Sequence, residues 1–289
     1  MEPVVNERER RHAQELMARH VPIPNVWYKR NIFFTLFMNA GSVGIPDAER
    51  FVVSAVEAFA ESGDYPTLRE LIIHIIVEEK AHARVHDAYN EYLRSTGLSF
   101  DRYIRQSTRF LDFVSRRFSI KSRLAFACTI EHFTATGARQ ILDYAIFEGE
   151  DVDERMDRVW TWHALEELDH RSTVFDLYLA AGGGYFRRVS VAFFATAVFI
   201  YFQHPCFLSF LRQRGVLWNG RVWRNGLPYL FGKKGVYRRM FFDWLKLFRP
   251  GFHPTDIPIR NVLQKQLHHY HMEDELIKYF QIGTLRASL

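Results

Sequence analysis

The sequence predicts an all-α protein: a four-helix bundle carrying additional helices at its C-terminal end. Three observations predict it. Four long segments repeat their apolar residues at helical spacing, and no stretch alternates apolar and polar residues as a half-buried strand does. The 289 residues include 26 Phe against 16 Gly and 10 Pro, which suits an aromatic-packed helical interior better than a loop-rich one.

Residues 1–30 read as a helical or extended arm. "IPDAERFVVSAVEAFAES" (45–62) reads as the first bundle helix, with Pro46 near its first turn, where a missing N–H is tolerated. "YPTLRELIIHIIVEEKAHARVHDAYNEYLRST" (65–96) is the second, starting near Pro66 and stopping before Gly97. "IKSRLAFACTIEHFTATGARQILDYAIFEG" (120–149) is the third, with Ser122 as candidate cap and Gly149 as its end. The fourth is "DVDERMDRVWTWHALEELDHRSTVFDLYLAAGGG" (151–184), capped near Asp151 or Asp153 and halted by Gly182 to Gly184. Four such helices argue for a bundle over residues 31–184.

Residues 185–289 are expected to form an aromatic, basic helical extension packed on that bundle. Within it, "VSVAFFATAVFIYFQHPCFLSFL" (189–211) holds no formally charged residue and meets the roughly 20-residue length of a membrane span. Gln203, His204 and Pro205 interrupt it, which favours a buried or interfacial helix over a span. A last helix is expected in "IRNVLQKQLHHYHMEDELIKYF" (259–280).

Hydrophobic content of 48% excludes a disordered chain. Two cysteines, Cys128 and Cys206, make neither a disulfide scaffold nor a thiolate metal site, so a reducing compartment is the default. The charged N-terminal stretch lacks the apolar core of a secretory signal, which makes the cytoplasm the expected location. The formal charge of +5 is uneven. Residues 212–249 interleave Lys and Arg with aromatics and hold a single acid, Asp243. Such a stretch suits phosphate, either of lipid head groups or of nucleic acid. No nucleic-acid module is recognisable, so no nucleic acid is expected. Either residues 189–249 make peripheral contact with the inner face of a membrane and admit a hydrophobic small-molecule substrate, or their aromatics simply pack over the bundle.

At about 100° per residue, His163, Glu167 and His170 fall within about 60° on one face of the fourth helix. Glu79, His82 and His86 do the same on the second. Both helices therefore carry Glu-x-x-His, "EKAH" at 79–82 and "ELDH" at 167–170. The first helix adds Glu49, and the third adds Glu131 inside "FACTIEHF". One Glu from each of two helices and Glu-x-x-His from each of the other two is the ligand set of a dinuclear carboxylate site. Glu and His three apart point the same way and can clasp one ion. Four carboxylates balance two divalent cations; without metal they repel one another in an apolar interior. Oxygen and imidazole donors suit iron or manganese better than a structural zinc. Glu78, Glu166 and Asp169 are alternative inward residues, and Glu49 is alternatively a first-turn acid favoured by the helix dipole.

These residues resemble the ferritin-like di-iron carboxylate superfamily over about residues 30–180. "IPDAERF", "EEKAHARVH" and "WHALEELDHRSTVFDLY" are similar to a bacterial family labelled predicted metal-dependent hydrolases, through most of the chain. The pattern His-x3-Glu-x2-His, with His163 four residues before Glu167, also resembles the di-iron arylamine N-oxygenases. That resemblance implies Glu49, Glu79, His82, Glu131, His163, Glu167 and His170 as metal ligands. His86 is then a further ligand, an outer base or a core histidine, with the outer position favoured. His132 is expected to be structural. Thr134 and Thr136 lie near Glu131, where a hydroxyl could deliver protons.

The implied cofactor is a pair of iron ions, with manganese or zinc as alternatives and O2 as co-substrate. The expected function is a di-iron oxygenase or oxidase acting on a hydrophobic small molecule and served by an electron donor. A dinuclear metal-dependent hydrolase is the alternative, and a membrane-associated metal-binding protein without turnover is a third reading. A homodimer is compatible with all three.

Overall fold

The computed structural model describes residues 22–147, 151–257 and 276–277. Most of the arm expected at 1–30 and of the helix expected at 259–280 lies outside the described residues. The described chain is all-helical; it contains no strand, only an isolated bridge between Tyr28 and Val152. The α-helices run as α1 (Ile32–Glu61), α2 (Arg69–Ser95), α3 (Asp101–Arg117), α4 (Ile120–Leu142), α5 (Glu154–His170), α6 (Thr173–Ala180), α7 (Tyr185–Gln213), α8 (Gly220–Phe231) and α9 (Val236–Lys246).

Helix α1 begins earlier than its sequence pattern suggests. Its cap is Asn31, whose side chain accepts from the Phe34 N–H at 3.0 Å, and Pro46 lies inside the helix rather than in its first turn. A proline cannot donate to the carbonyl four residues back, which normally breaks or kinks a helix. Here that carbonyl belongs to Ser42, and the Asn90 side chain of α2 donates to it at 3.1 Å. A tertiary hydrogen bond thus replaces the missing local one.

Three other boundaries also differ. Ser119 rather than Ser122 caps α4, accepting from the Ser122 N–H, and α4 ends at Leu142. The expected fourth helix is divided: α5, capped by Asp153, stops at His170, and α6 resumes at Thr173. Gly182, at φ +72°, then ends the run in the left-handed region that favours glycine. Helix α3 has no counterpart in the sequence reading. Of its 17 residues Tyr103, Ser107 and Val114 are buried, with Ile104, Phe110 and Leu111 packed beside the core, so its apolar stripe at helical spacing is present in the sequence.

Helices α1, α2, α4 and α5 pack around a shared interior. That interior is divided in two. One apolar cluster joins Phe33–Val43 of α1 with Val85–Leu93 of α2 and the core residues of α5; the other joins Phe51–Phe59 with Leu124–Cys128 and α6. Between them, each helix places its charged residues: Glu49, then Glu79 and His82, then Glu131, then Glu167 and His170, all at most 2% exposed. Two greasy layers clamp a polar one.

The C-terminal helices lie against this frame, α7 on α1 and α4, α8 on α1, α9 on α4. Phe33 meets Phe207 and Trp223 edge-on, and Trp244 donates to the Thr196 hydroxyl at 2.9 Å. Arg139 pairs with Asp243, and His132 donates to the Asp243 carbonyl at 3.0 Å. Burial pushes the His132 pKa down to about 4, so this histidine is a neutral tie between α4 and α9. Helix α7 is long and apolar enough to cross a membrane. One side of it, including Ala195, Cys206 and Phe210, is buried, while Phe186, Phe193, Ile200 and Tyr201 are exposed.

Candidate metal centre

Seven side chains from four helices meet in the polar layer. Three overlapping groups each place one donor atom per residue within 4.8 Å of the others: Glu49, His82, His163 and Glu167; Glu79, His82, Glu167 and His170; and Glu49, Glu79 and Glu131. All are buried. His163 Nε2 lies 2.8 Å from Glu167 Oε1 and 3.6 Å from Glu49 Oε1. His170 Nδ1 lies 2.7 Å from Glu79 Oε1. His82 Nδ1 is 3.2 Å from Glu167 Oε1 but without hydrogen-bond geometry.

Both oxygens of Glu49, both of Glu131, and one each of Glu79 and Glu167 have no hydrogen-bond partner. Six orphaned carboxylate oxygens in a dry layer are expensive unless something compensates them. Divalent cations supply that compensation, and no thiolate joins the set: Cys128 is buried apart and Cys206 lies on the buried side of α7. The donors present therefore fit hard or borderline divalent ions.

Burial, then the neighbouring Glu79 and Glu167, push the Glu131 carboxyl well above its usual range. Burial also works against ionised Glu167, yet His163 and His82 outweigh it and hold that group well below. For His82 burial opposes the cation, but Glu166 and Glu167 raise its pKa to about 9. Adjacent carboxylates pushed in opposite directions mark a site built for more charge than the chain carries alone.

The chain matches the model of the family described as predicted metal-dependent hydrolase over residues 9–257. It belongs to that family. No curated protein and no solved structure matches it.

Residues beyond the seven donors orient the imidazoles. Glu166 Oε2 takes His82 Nε2 at 2.8 Å, and Glu78 takes His170 Nε2. Each Glu-Glu-x-x-His element thus gives its first glutamate to the other element's histidine. The sequence leaves Glu78 and Glu166 open between inward and flanking; in the fold they stand one step outside the donors. The signal was present, because the echo is Glu-Glu-x-x-His at 78–82 and at 166–170, longer than Glu-x-x-His.

A second chain of bonds reaches His163. Asn90 donates its amide N–H to the Ser42 carbonyl that Pro46 leaves free, so its oxygen faces the Ser42 hydroxyl and accepts from it at 3.1 Å. That hydroxyl has one proton, already given to Asn90. His86 Nδ1, 2.9 Å from Ser42 Oγ, must therefore be the donor to it. Burial, then His163 and His82, hold the His86 pKa well below the usual value, so the ring is neutral and its Nε2 accepts from His163 Nδ1 at 2.7 Å. His163 Nε2 faces Glu167 and Glu49, and its 2.8 Å contact with Glu167 is a hydrogen bond in the metal-free chain. Loss of that proton would leave a lone pair aimed where a cation between the carboxylates would sit. His86 therefore acts through His163 and does not itself face the carboxylates.

Thr134 is half-buried, and its hydroxyl donates to the Glu131 carbonyl of its own helix at 3.0 Å; Thr136 bonds the Phe133 carbonyl at 3.2 Å. This is the usual behaviour of helical threonine.

Proposed function

We propose that Glu49, Glu79, His82, Glu131, His163, Glu167 and His170 hold two divalent metal ions, and that the protein is a di-iron oxidase or oxygenase acting with O2 on a hydrophobic small molecule. The observation that carries this reading is the donor set: four carboxylates and three imidazoles, no thiolate, closed off between two apolar layers. An iron pair held there supplies the electron transfer that activates O2 toward a neighbouring bond. The protein's own residues do the rest. Glu49 and Glu131 offer four uncommitted oxygens, Glu78 and Glu166 aim His170 and His82, and the relay through His86 turns His163 Nε2 toward Glu49 and Glu167. The apolar layers exclude water, so O2 and an apolar substrate enter more readily than a hydrated one.

The family description favours a second reading, a metal-bound hydroxide attacking an ester or phosphate. Purification under argon separates the two. About two irons per chain, O2 uptake with a chemical reductant, and a transient visible absorption are the expected result. Zinc or manganese at that stoichiometry, with ester hydrolysis in the absence of O2, would overturn the oxidase reading.

His86→Ala should weaken metal binding about 10- to 100-fold, as loss of an outer partner does, although every donor remains. Asn90→Leu should do the same and also cost about 1–3 kcal/mol of stability without metal, because it orphans the Ser42 carbonyl. Competition against a chromophoric chelator and urea melts measure the two effects; unchanged affinity in both variants removes the relay.

A peripheral membrane contact through residues 189–249 belongs to the same proposal, with the cytoplasmic face as the expected side. Its support is the exposure of Phe193, Tyr201, Trp218, Phe231 and Phe242 beside a basic stretch. The chain should float with phosphatidylglycerol vesicles and be released by salt, and Trp218→Ala with Phe242→Ala should abolish flotation. Equal flotation by that double variant would exclude this contact.

A further inference from the structure

A cavity of about 150 Å³ lies between α1, α3, α4 and α7. Its α1 wall runs from Ala40 to Glu49 and its α7 wall from Ala195 to Cys206, lengths of roughly 14 and 17 Å at 1.5 Å per residue. A volume that holds about one benzene takes about five or six carbons of an alkyl chain. Glu49 ends the α1 wall, wholly buried and with both oxygens unpartnered. Gly44 and Phe199 are exposed and mark the mouth, on the side where α7 presents its outward aromatics.

Glu49 is the single charged side chain on this wall. The hydroxyl groups of Thr129 and Thr134 donate to carbonyls of their own helix, and Ser107 bonds Asp47 and the Ile104 carbonyl. The Gln203 amide bonds the backbone of α1. These groups are turned into the protein, the Tyr103 hydroxyl accepts from Arg102, and apart from Glu49 the wall offers an entering molecule hydrocarbon contact and no counter-charge. Such a passage rejects a charged or hydrogen-bonding head and accepts a slim apolar tail.

We propose that this cavity binds the terminal segment of the alkyl chain of a single-chain lipid, with the chain end running toward Glu49 and the rest of the chain and its polar head outside the mouth. This names the substrate class of the metal centre and rests on that reading for the reaction, while the binding stands apart from it.

Gly44 provides the test. A Cβ placed there meets nothing within 4 Å, and its backbone is ordinary helix, so Gly44→Leu obstructs the mouth without strain. Gly137 of α4 is equally open but does not line the cavity, so Gly137→Leu is the control. The metal-loaded full chain is titrated with cis-parinaric acid, a slim fluorescent fatty acid, and then with competitors. Dodecanol and dodecanoate should displace it equally, since the head stays outside. Gly44→Leu should weaken the probe at least about tenfold, by removing several methylene contacts, while Gly137→Leu matches the parent. Equal binding by the two variants, or displacement by naphthalene and by neither alkyl compound, overturns the proposal. Probe binding by a chain that takes up no iron would sink the oxidase reading and leave this one standing.

Discussion

Glutamine in place of Glu131 is expected to stabilise the metal-free protein and to destabilise the metal-loaded one. Both Glu131 oxygens are buried without a partner, and burial, then Glu79 and Glu167, push its carboxyl well above the usual range. Without metal, the folded chain must hold protonated a group that ionises when unfolded, at about 1.4 kcal/mol per pH unit. Glutamine keeps the shape and removes that cost, so the chelated variant should gain about 1–3 kcal/mol at neutral pH. With metal present the sign reverses. A tightly held ion at a hundred- to thousandfold excess over its Kd adds about 3–4 kcal/mol, and loss of a carboxylate donor forfeits much of it. Melting curves of chelated and iron-loaded protein, with metal content beside them, read both signs at once. A shift of the same sign in both states would mean that Glu131 is a core residue and no ligand.

The second large effect is on pH. In the metal-free protein the pKa of His82 is raised from 6.5 to about 9; burial opposes this, but Glu166 and Glu167 prevail. A histidine whose folded pKa is raised adds stability that is complete below its unfolded pKa and is lost as pH climbs through the folded one. His170 is raised as well, by Glu78 and Glu79 against burial, and Glu131 is raised by burial; both act in the same direction over this window. His86 and His163 are lowered, burial first, so their contribution is already complete above 6.5. The chelated protein should therefore lose stability between pH 6.5 and pH 9, by roughly 3 kcal/mol for His82 alone. Metal affinity should rise over the same interval, because ligand histidines must shed their protons first. Urea melts across that range with and without metal would show the two curves diverging; parallel curves would exclude His82 as a ligand.

The arithmetic of a single helix explains how much of this centre was legible in the chain. Glu79 with His82, and Glu167 with His170, are three apart, and a helix alone turns such residues to one side. His163 and His86 extend the same faces by one turn. Glu131 stood out because it interrupts an apolar run that has no other reason to carry a charge. The outer partners were not legible in this way. Glu78 and Glu166 each point about 100° away from their neighbours in sequence, and only the crossing of α2 by α5 brings each to the other's histidine. The break after His170 was also beyond local pattern, for want of a breaker, whereas the stripe of α3 from Tyr103 through Phe110 and Leu111 to Val114 was legible in the chain.

The sequence by itself determined the helical class, the two repeated elements, the glutamates between them and the membership of a metal-dependent family. Those depend on spacing within one helix and on residue chemistry, which are local. The tertiary structure alone decided where α1 begins, which nitrogen of His163 faces the carboxylates and where an apolar lumen meets Glu49. Each of those depends on a partner from another helix. Pro46 shows the reason most plainly: by local rules it ends a helix, and an asparagine on α2 supplies the hydrogen bond that lets the helix continue past it.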